Sequence, residues 1–212
     1  ETLNDFELGY HFTKERARVF ANLYFMDYRD QLVLTGAIDD VGAPIRQNSG
    51  SSYRLGVEVE AGFQLGSQFA ITPNIALSTN KNRDFFFQRD GELQNLGNTN
   101  ISFSPEIIAG NRLDFFPVQN LRLSLLSKYV GEQYLGNIDA ESSKLDAYFI
   151  NDFNVQYDLK NIGFAKRVTL TALVNNIFSE EYVSNGYFFT YDEVANSGAV
   201  TTVEGAGYYP QA

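Results

Sequence analysis

Between residues 53 and 65 the side chains alternate without a break. Tyr53, Leu55, Val57, Val59, Ala61, Phe63 and Leu65 fall on one face; Arg54, Gly56, Glu58, Glu60, Gly62 and Gln64 fall on the other. A period of two marks an extended strand with one apolar face. This run far exceeds the ~5–6 residues usual in globular sheets. Residues 145–159 repeat the pattern: Leu145, Ala147, Phe149, Phe153, Val155, Tyr157 and Leu159 share a face that only Asn151 interrupts. The other face carries Asp146, Tyr148, Ile150, Asp152, Asn154, Gln156 and Asp158. Strands this long must pair along both edges, and their apolar face must meet protein or lipid.

Six more stretches alternate, at 3–12, 16–34, 69–79, 101–116, 121–131 and 168–178, and no helical period competes with them. In 16–25, Ala17, Val19, Ala21, Leu23 and Phe25 oppose Arg18, Asn22 and Tyr24; in 106–115, Ile107, Ala109, Leu113 and Phe115 oppose Glu106, Arg112 and Asp114. In 121–130, Leu121, Leu123, Leu125 and Tyr129 oppose Arg122, Ser124 and Lys128. The connections alternate in length. Thr13–Glu15, Gly66–Gln68, Pro117–Asn120 and Lys160–Arg167 are short, whereas 35–52, 80–100, 132–144 and 179–212 are long and rich in Gly, Asn, Asp and Ser.

A soluble β-sandwich also alternates. Two features favour a membrane barrel over it. The strands reach the ~9–11 residues that cross a bilayer at a tilt, and short turns at one end with long loops at the other is the outer-membrane arrangement. Phe12, Tyr28, Tyr53, Phe115 and Tyr129, near strand ends, are expected in interfacial aromatic girdles. The expected fold is all-β: an antiparallel transmembrane β-barrel segment of about eight long strands.

Composition excludes several other classes. The 212 residues carry a net charge of −10, which is wrong for a nucleic-acid binder. There is no cysteine, hence no disulfide, thiol nucleophile or Cys-based metal site. No run approaches the ~18 apolar residues of a membrane helix, and the sequence holds no signal-peptide pattern. Mean hydropathy is −0.23, but barrel strands escape hydropathy windows. With 18 Phe and 13 Tyr, no Trp and many Asn and Gly, the chain reads as strands joined by turns.

With the short turns on the periplasmic side, the first strand runs inward and the eighth outward, leaving residue 212 outside. An open eight-stranded sheet also has two unpaired edges, which hydrocarbon does not tolerate. Its polar face is too rich in charge for a small packed barrel. The expectation is a piece of a larger barrel, with strands before Glu1 and a final strand after Ala212.

Seven segments, in order, resemble a known family. VNNIFSEEYVSNGY resembles the N-x-F-N-x-x-Y signature near the end of TonB-dependent outer-membrane receptors. NDFELGYHF is similar to that family's E-x-G-x-K/R strand, NLYFMDYRDQL to its F-x-x-x-Y-x-D-x-I strand, and NSGSSYRLGVEVEAGF to its N-x-G-x-x-x-x-G-V-E-x-E strand. ISFSPEIIAGNRLDF is similar to the P-x-H-x-x-N-x-x-x-Y strand, YVGEQYL to Y-V-G-x-x-Y, and GYYPQA to the Y-P-x-x-G-R lead-in to the last strand. The chain departs from the family in having Glu106 and Ile107 around the expected histidine and Ser179 where an asparagine is usual. The resemblance implies the C-terminal part, residues 1–212, of one barrel of about 22 strands. The plug domain and TonB box lie outside this sequence, and the final strand is missing from it.

The residues themselves offer little catalysis. His11 is the only histidine and has no nucleophile motif beside it. Asp146, Asp152, Asp158, Glu58 and Glu60 recur at period two, which reads as solvated lumen lining partnered by Arg54, Arg112, Arg122 and Lys128. Asn100-Ile101-Ser102 is read as a chance sequon, and Gly205-Ala206-Gly207 is too short for a phosphate loop. No enzyme, cofactor or metal site is expected. The long loops are the candidate functional surface: Lys81, Arg83 and Arg89 around Phe85, Phe86 and Phe87 could hold an anionic aromatic ligand, or could form an aromatic cluster with a charged rim. Tyr28, Arg29, Tyr134, Tyr187, Phe188, Phe189 and Tyr191 present the same pair of readings.

What the resemblance implies is an active-transport receptor of the bacterial outer membrane. It would bind an extracellular ligand, a ferric siderophore or similar metal chelate first among them, and import it with energy from an inner-membrane TonB-type protein reached through the missing N-terminal part. Expected partners are the lipid bilayer, lipopolysaccharide, the small-molecule ligand and other outer-membrane proteins. The alternative is a structural or assembly component, or a passive porin-like pore, without TonB-driven uptake.

Overall fold

In a computed structural model, residues 1–38, 44–48 and 50–211 are described; parts of the expected 35–52 loop (39–43 and 49) and Ala212 lie outside them. In chain order the strands are β1 (Thr2–Lys14), β2 (Ala17–Arg29), β3 (Leu32–Ile38), β4 (Pro44–Asn48), β5 (Ser51–Leu65), β6 (Phe69–Arg83), β7 (Phe86–Arg89), β8 (Glu92–Asn95) and β9 (Thr99–Asn100). There follow β10 (Ile107–Phe115), β11 (Leu121–Val130), β12 (Gln133–Tyr134), a single 3-10 turn (Glu141–Ser143), β13 (Lys144–Leu145), β14 (Tyr148–Ile162), β15 (Ala165–Val174), β16 (Tyr182–Val194) and β17 (Val200–Gln211).

The eight long alternating stretches form one up-and-down antiparallel sheet, in the order β1-β2-β5-β6-β10-β11-β14-β15. Boundaries differ from the sequence reading for local reasons. The 16–34 run divides where Asp30 takes a positive φ of 54°, and β3 then begins a separate hairpin with β4. Residues 101–106 are not strand: Phe103 has φ 53°, and the sheet resumes at Ile107. The 160–167 turn is shorter than expected, because β14 and β15 stay paired to Ile162↔Ala165, leaving Gly163 and Phe164 at the tip.

Register makes the two faces continuous. One row runs Leu65, Phe69, Phe115, Leu123, Val155, Ala172, and another Phe63, Ile71, Leu113, Leu125, Phe153, Val174. On this face Phe6, Leu8, Leu23, Leu55, Leu65, Phe149 and Leu170 are all exposed. A soluble protein does not leave a sheet-wide apolar face to water; a bilayer covers one at no cost. Phe69 and Phe115 stack at 4.6 Å at its turn end, and Phe25 and Tyr53 meet at 6.4 Å towards its loop end, as girdles require. Tyr28 is a correction to the expected girdle. It pairs with Ser52, one residue out of phase with Asp27 and Tyr53, and so lies on the polar face.

Polar side chains pair with one another over the polar face. Arg122 donates to Gln156 Oε1 at 2.6 Å, Ser124 to Asp114 Oδ1 at 2.6 Å and Thr169 to Asp158 Oδ1 at 2.7 Å. Arg112 pairs with Asp114 at 3.0 Å, and Arg54 donates to Ser104 at 2.9 Å. Asn151, the interruption in the apolar face, belongs to a row with Ser127 and Asn111, and Ser127 Oγ donates to its Oδ1 at 2.7 Å. His11 contacts Thr13 Oγ1 at 3.0 Å near the β1–β2 turn.

Candidate functional site

All four long connections fold back as hairpins at one end of the sheet: β3–β4, β7–β8, β12–β13 and β16–β17. Asp90 and Gly91, at φ 53° and 77°, make the tight turn of β7–β8, where positive φ at both positions suits an Asp-Gly pair. Period two then sorts the Phe85-Phe86-Phe87 run. Phe85 and Phe87 are buried with Ile138 and Ala140, and Phe188 and Leu96 pack on them; Phe86 points away and is exposed. This small apolar core ties three loops together.

Polar groups complete the tie. Asn82, fully buried, donates to Thr99 Oγ1 at 3.1 Å and to Asn137 Oδ1 at 3.4 Å. The N–H groups of Ser102 and Asn100 donate to Asn137 and Asp139, each at 2.9 Å. Arg89 forms an ion pair with Glu204 and lies 5.7 Å from the Phe87 ring centre, while Asp90 and Thr202 exchange two 2.8 Å hydrogen bonds. The β7–β8 tip is thereby fastened to β17.

Asn175-Asn176 begins the last excursion. Asn176 takes φ 48°, tolerable for Asn; its N–H donates to Asp152 Oδ1 at 2.7 Å, and its amide bonds both the carbonyl and the N–H of Glu180. The chain then enters β16, where Tyr182 stacks on Tyr148 at 4.5 Å. Tyr148 pairs with Val130, on the face of Arg122, Ser124 and Lys128. Beyond a bulge between Val183 and Asn185, the even-numbered side of β16 packs on the loop core through Phe188 and buries Gly186 and Thr190.

The odd-numbered side of β16 is left open, with Tyr187 and Tyr191 exposed. On it Tyr187, Phe189 and Tyr191 stack in series, with centroids 6.1 and 6.2 Å apart, and Tyr209 joins Tyr187 at 6.1 Å. Gly205 and Gly207 stand opposite Phe189 and Tyr187, and a Cβ on either would come within 2.5 Å of a ring atom. The rings lie flat over glycine backbone, which accounts for Gly205-Ala206-Gly207.

The twelve candidate residues thus separate. Tyr187 and Tyr191 are on the open ladder, Phe188 faces the loop core beneath it, and Phe86 is exposed on β7. Phe85 and Phe87 fill the core and Arg89 is paired. Tyr28 lies on the polar face, its hydroxyl donating to Met26 Sδ at 3.7 Å. Arg29, Lys81 and Arg83 are in phase with Phe25 and Leu77, so register puts them on the apolar side, beyond its loop-end edge. Lys81 contacts Glu106 at 3.6 Å and Arg83 pairs with Asp27 at 2.7 Å. Tyr134 lines a neighbouring pocket, where burial, and then the Asp139 carboxylate, push its phenol above the usual tyrosine range. Tyr209 escaped the sequence reading; the signal was alternation of aromatics over 187–191 opposite alternating glycines.

Solved structures share this fold. The chain superimposes on the siderophore receptor PiuA from Acinetobacter baumannii (TM-score 0.66, 16% identity, 97% of this chain, 27% of that one). It matches the ferric citrate transporter FecA in its unliganded form (TM-score 0.66, 18% identity, 98% and 30%). It also matches the ferric yersiniabactin uptake receptor FyuA from Yersinia pestis (TM-score 0.64, 16% identity, 97% and 28%). The chain spans under a third of each of these proteins. No curated protein matches it in sequence. Residues 1–177 match the family model described as TonB dependent receptor-like, beta-barrel. This long-stranded sheet, apolar outside and polar within, is part of a bacterial outer-membrane barrel, and the chain belongs to the TonB-dependent receptor family, whose members are non-enzymatic transporters.

Proposed function

We propose that this chain is the loop-bearing part of a receptor that binds an extracellular ferric siderophore or similar metal chelate and imports it, driven by an inner-membrane TonB-type protein. The observation that carries this reading is the ladder of Tyr187, Phe189, Tyr191 and Tyr209 on the open side of the β16–β17 hairpin, at the loop end of the sheet. Stacked rings are worth about 0.5–1.5 kcal/mol per aromatic pair beyond the area they bury. Their hydroxyls can donate to the oxygens of a chelate, and Phe86 adds a further exposed ring nearby in sequence to the core pair. Structural relatives include a siderophore receptor, a ferric citrate transporter, a ferric yersiniabactin receptor and a copper transporter, and a metal chelate is the cargo class consistent with that set. Transport itself is differential affinity: a loaded state that binds tightly and a released state that does not.

The test is uptake of radio-iron chelates by cells deleted for the receptor and complemented with its full-length gene. Complementation should restore uptake of at least one chelate, a protonophore should abolish it, and Tyr187→Ala with Tyr191→Ala should raise the apparent Kd about tenfold. Equal uptake with and without the receptor, or uptake indifferent to the protonophore, would sink the proposal.

A further inference from the structure

The ladder of Tyr187, Phe189, Tyr191 and Tyr209 stands in surroundings of one sign. From Ser179 to Ala212 the chain carries Glu180, Glu181, Asp192, Glu193 and Glu204 and no Lys, Arg or His, which is half of the whole chain's net −10. Glu193 is on the ladder's own face, two residues beyond Tyr191, whose hydroxyl donates to its Oε1 at 3.4 Å. Glu181 is exposed towards the other end of β16, lining a pocket with Tyr182 and Gln211. Glu204 is neutralised by Arg89 on the opposite side of the hairpin. The other four carboxylates have no ion pair among the described residues.

The loop cations are engaged elsewhere. Arg29, Lys81 and Arg83 turn outward, Lys144 is paired with Glu132 and Arg89 with Glu204. In the sheet that contains the ladder, β17-β16-β3-β4, the one described cation is Arg46 on β4, two strands from β16. The rings add to the negative sign. An aromatic face is the negative part of a quadrupole and attracts a cation set over it within about 6 Å of the centroid. Two other rings hold an internal guanidinium in this way: Arg83 lies 4.8 Å over Tyr53 and Arg89 lies 5.7 Å from Phe87. No described cation lies over a ladder ring. Tyr187 and Phe189 each set one face on the backbone of Gly207 and Gly205, and the other face is turned away from the sheet.

We propose that the ladder is a subsite for a cationic group on the cargo, an ammonium carried by a metal chelate, and that it discriminates against chelates of net negative charge. The inference rests on the reading of the β16–β17 hairpin as a cargo-binding surface and adds the sign of charge which that surface selects. A carboxylate or catecholate chelate fits poorly, because its oxygens would face the rings and Glu193. An ammonium meets the ring faces with Glu193 as its counter-ion, and the unpaired carboxylates raise its local concentration.

Three forms of one linear ferric trihydroxamate test this on the full-length receptor in detergent: the parent with a free terminal ammonium, its N-acetyl form and its N-succinyl form. They are cationic, neutral and anionic around the same iron centre. Competition against the radio-iron parent should give a Kd about tenfold lower for the cationic form than for the neutral one, with the anionic form weaker again. Tyr187→Leu with Tyr191→Leu keeps apolar bulk but removes the ring faces, and should bring the cationic and neutral forms within about twofold. Tyr187→Phe with Tyr191→Phe should keep the preference, and Glu193→Gln should reduce it, more at low salt than at high. Heat-modifiable migration establishes that each variant is folded. Equal affinity for the three forms, or preference for the anionic one, overturns the proposal while leaving chelate transport standing. So does failure of the cationic form to bind, a preference that survives the leucine exchange, or uptake confined to chelates without a cationic group. Uptake of no chelate at all overturns the transport reading and this inference with it.

Discussion

Leu125 and Leu126 are adjacent, equally apolar, and placed by register on opposite faces. Leu125 lies between Leu113 and Phe153 in the outward row; Leu126 lies between Arg112 and Asp152 on the polar face. β11 has 10 residues, about 33 Å along the strand at ~3.3 Å each and about 23 Å along the barrel axis at a ~45° tilt. That nearly matches the ~25 Å apolar band, and Leu125, fifth in the strand, is close to its midplane. An arginine at Leu125 should therefore cost about 2–4 kcal/mol. At Leu126 the new charge meets one like and one opposite neighbour, each worth about 0.2–1 kcal/mol, so the net change stays within about 1 kcal/mol. The assay is urea unfolding of the full-length receptor in lipid vesicles, followed by heat-modifiable migration. A folding equilibrium weakened at least about fivefold more by Leu125→Arg than by Leu126→Arg is expected. Equal costs, or a larger one for Leu126→Arg, would refute the assignment of faces.

Gly207→Ala should displace the Tyr187 ring, since the new Cβ would stand within 2.6 Å of three of its atoms; overpacking of this kind costs about 1–3 kcal/mol, read as faster proteolysis in the β16–β17 hairpin with the barrel intact. Lys144, outside the membrane span, has its pKa raised above the usual lysine value by its hydrogen bond to Glu132 at 2.9 Å. A raised folded pKa contributes stability that is complete below the unfolded value near 10.4 and lost as pH rises through the folded one. The β12–β13 loop should therefore hold its protease resistance to about pH 10 and loosen above it, and Glu132→Gln should remove the wild-type excess over that variant below pH 10.

Much of the barrel wall was legible in the sequence because a β-strand's faces are set by a period of two. Tyr53 to Leu65 and Leu121 to Tyr129 could not present their apolar side chains to water, so their pairing partners and the surrounding medium followed from local pattern. Asn176 was legible only as the end of a strand; that it bonds Asp152 and Glu180 in a left-handed conformation is a fact of two neighbouring elements. The candidate site was the harder part. KNRDFFFQRD reads as a uniform cluster, because sequence lists its cations and rings side by side, and only the β7–β8 hairpin buries Phe85 and Phe87 and exposes Phe86.

The sequence by itself determined the strand class, the two faces and the alternation of turns and loops, since these depend on side chains two to four residues apart. Only the tertiary structure decided which side of the wall each loop-end residue occupies. Register carried from β2 to β6 sends Arg29, Lys81 and Arg83 outward with the lipid-facing rows, while the packing of Phe188 on the loop core leaves Tyr187 and Tyr191 on the open side of β16. That division depends on how far the β5–β6 pairing runs past residue 79 and on contacts between residues far apart in the chain.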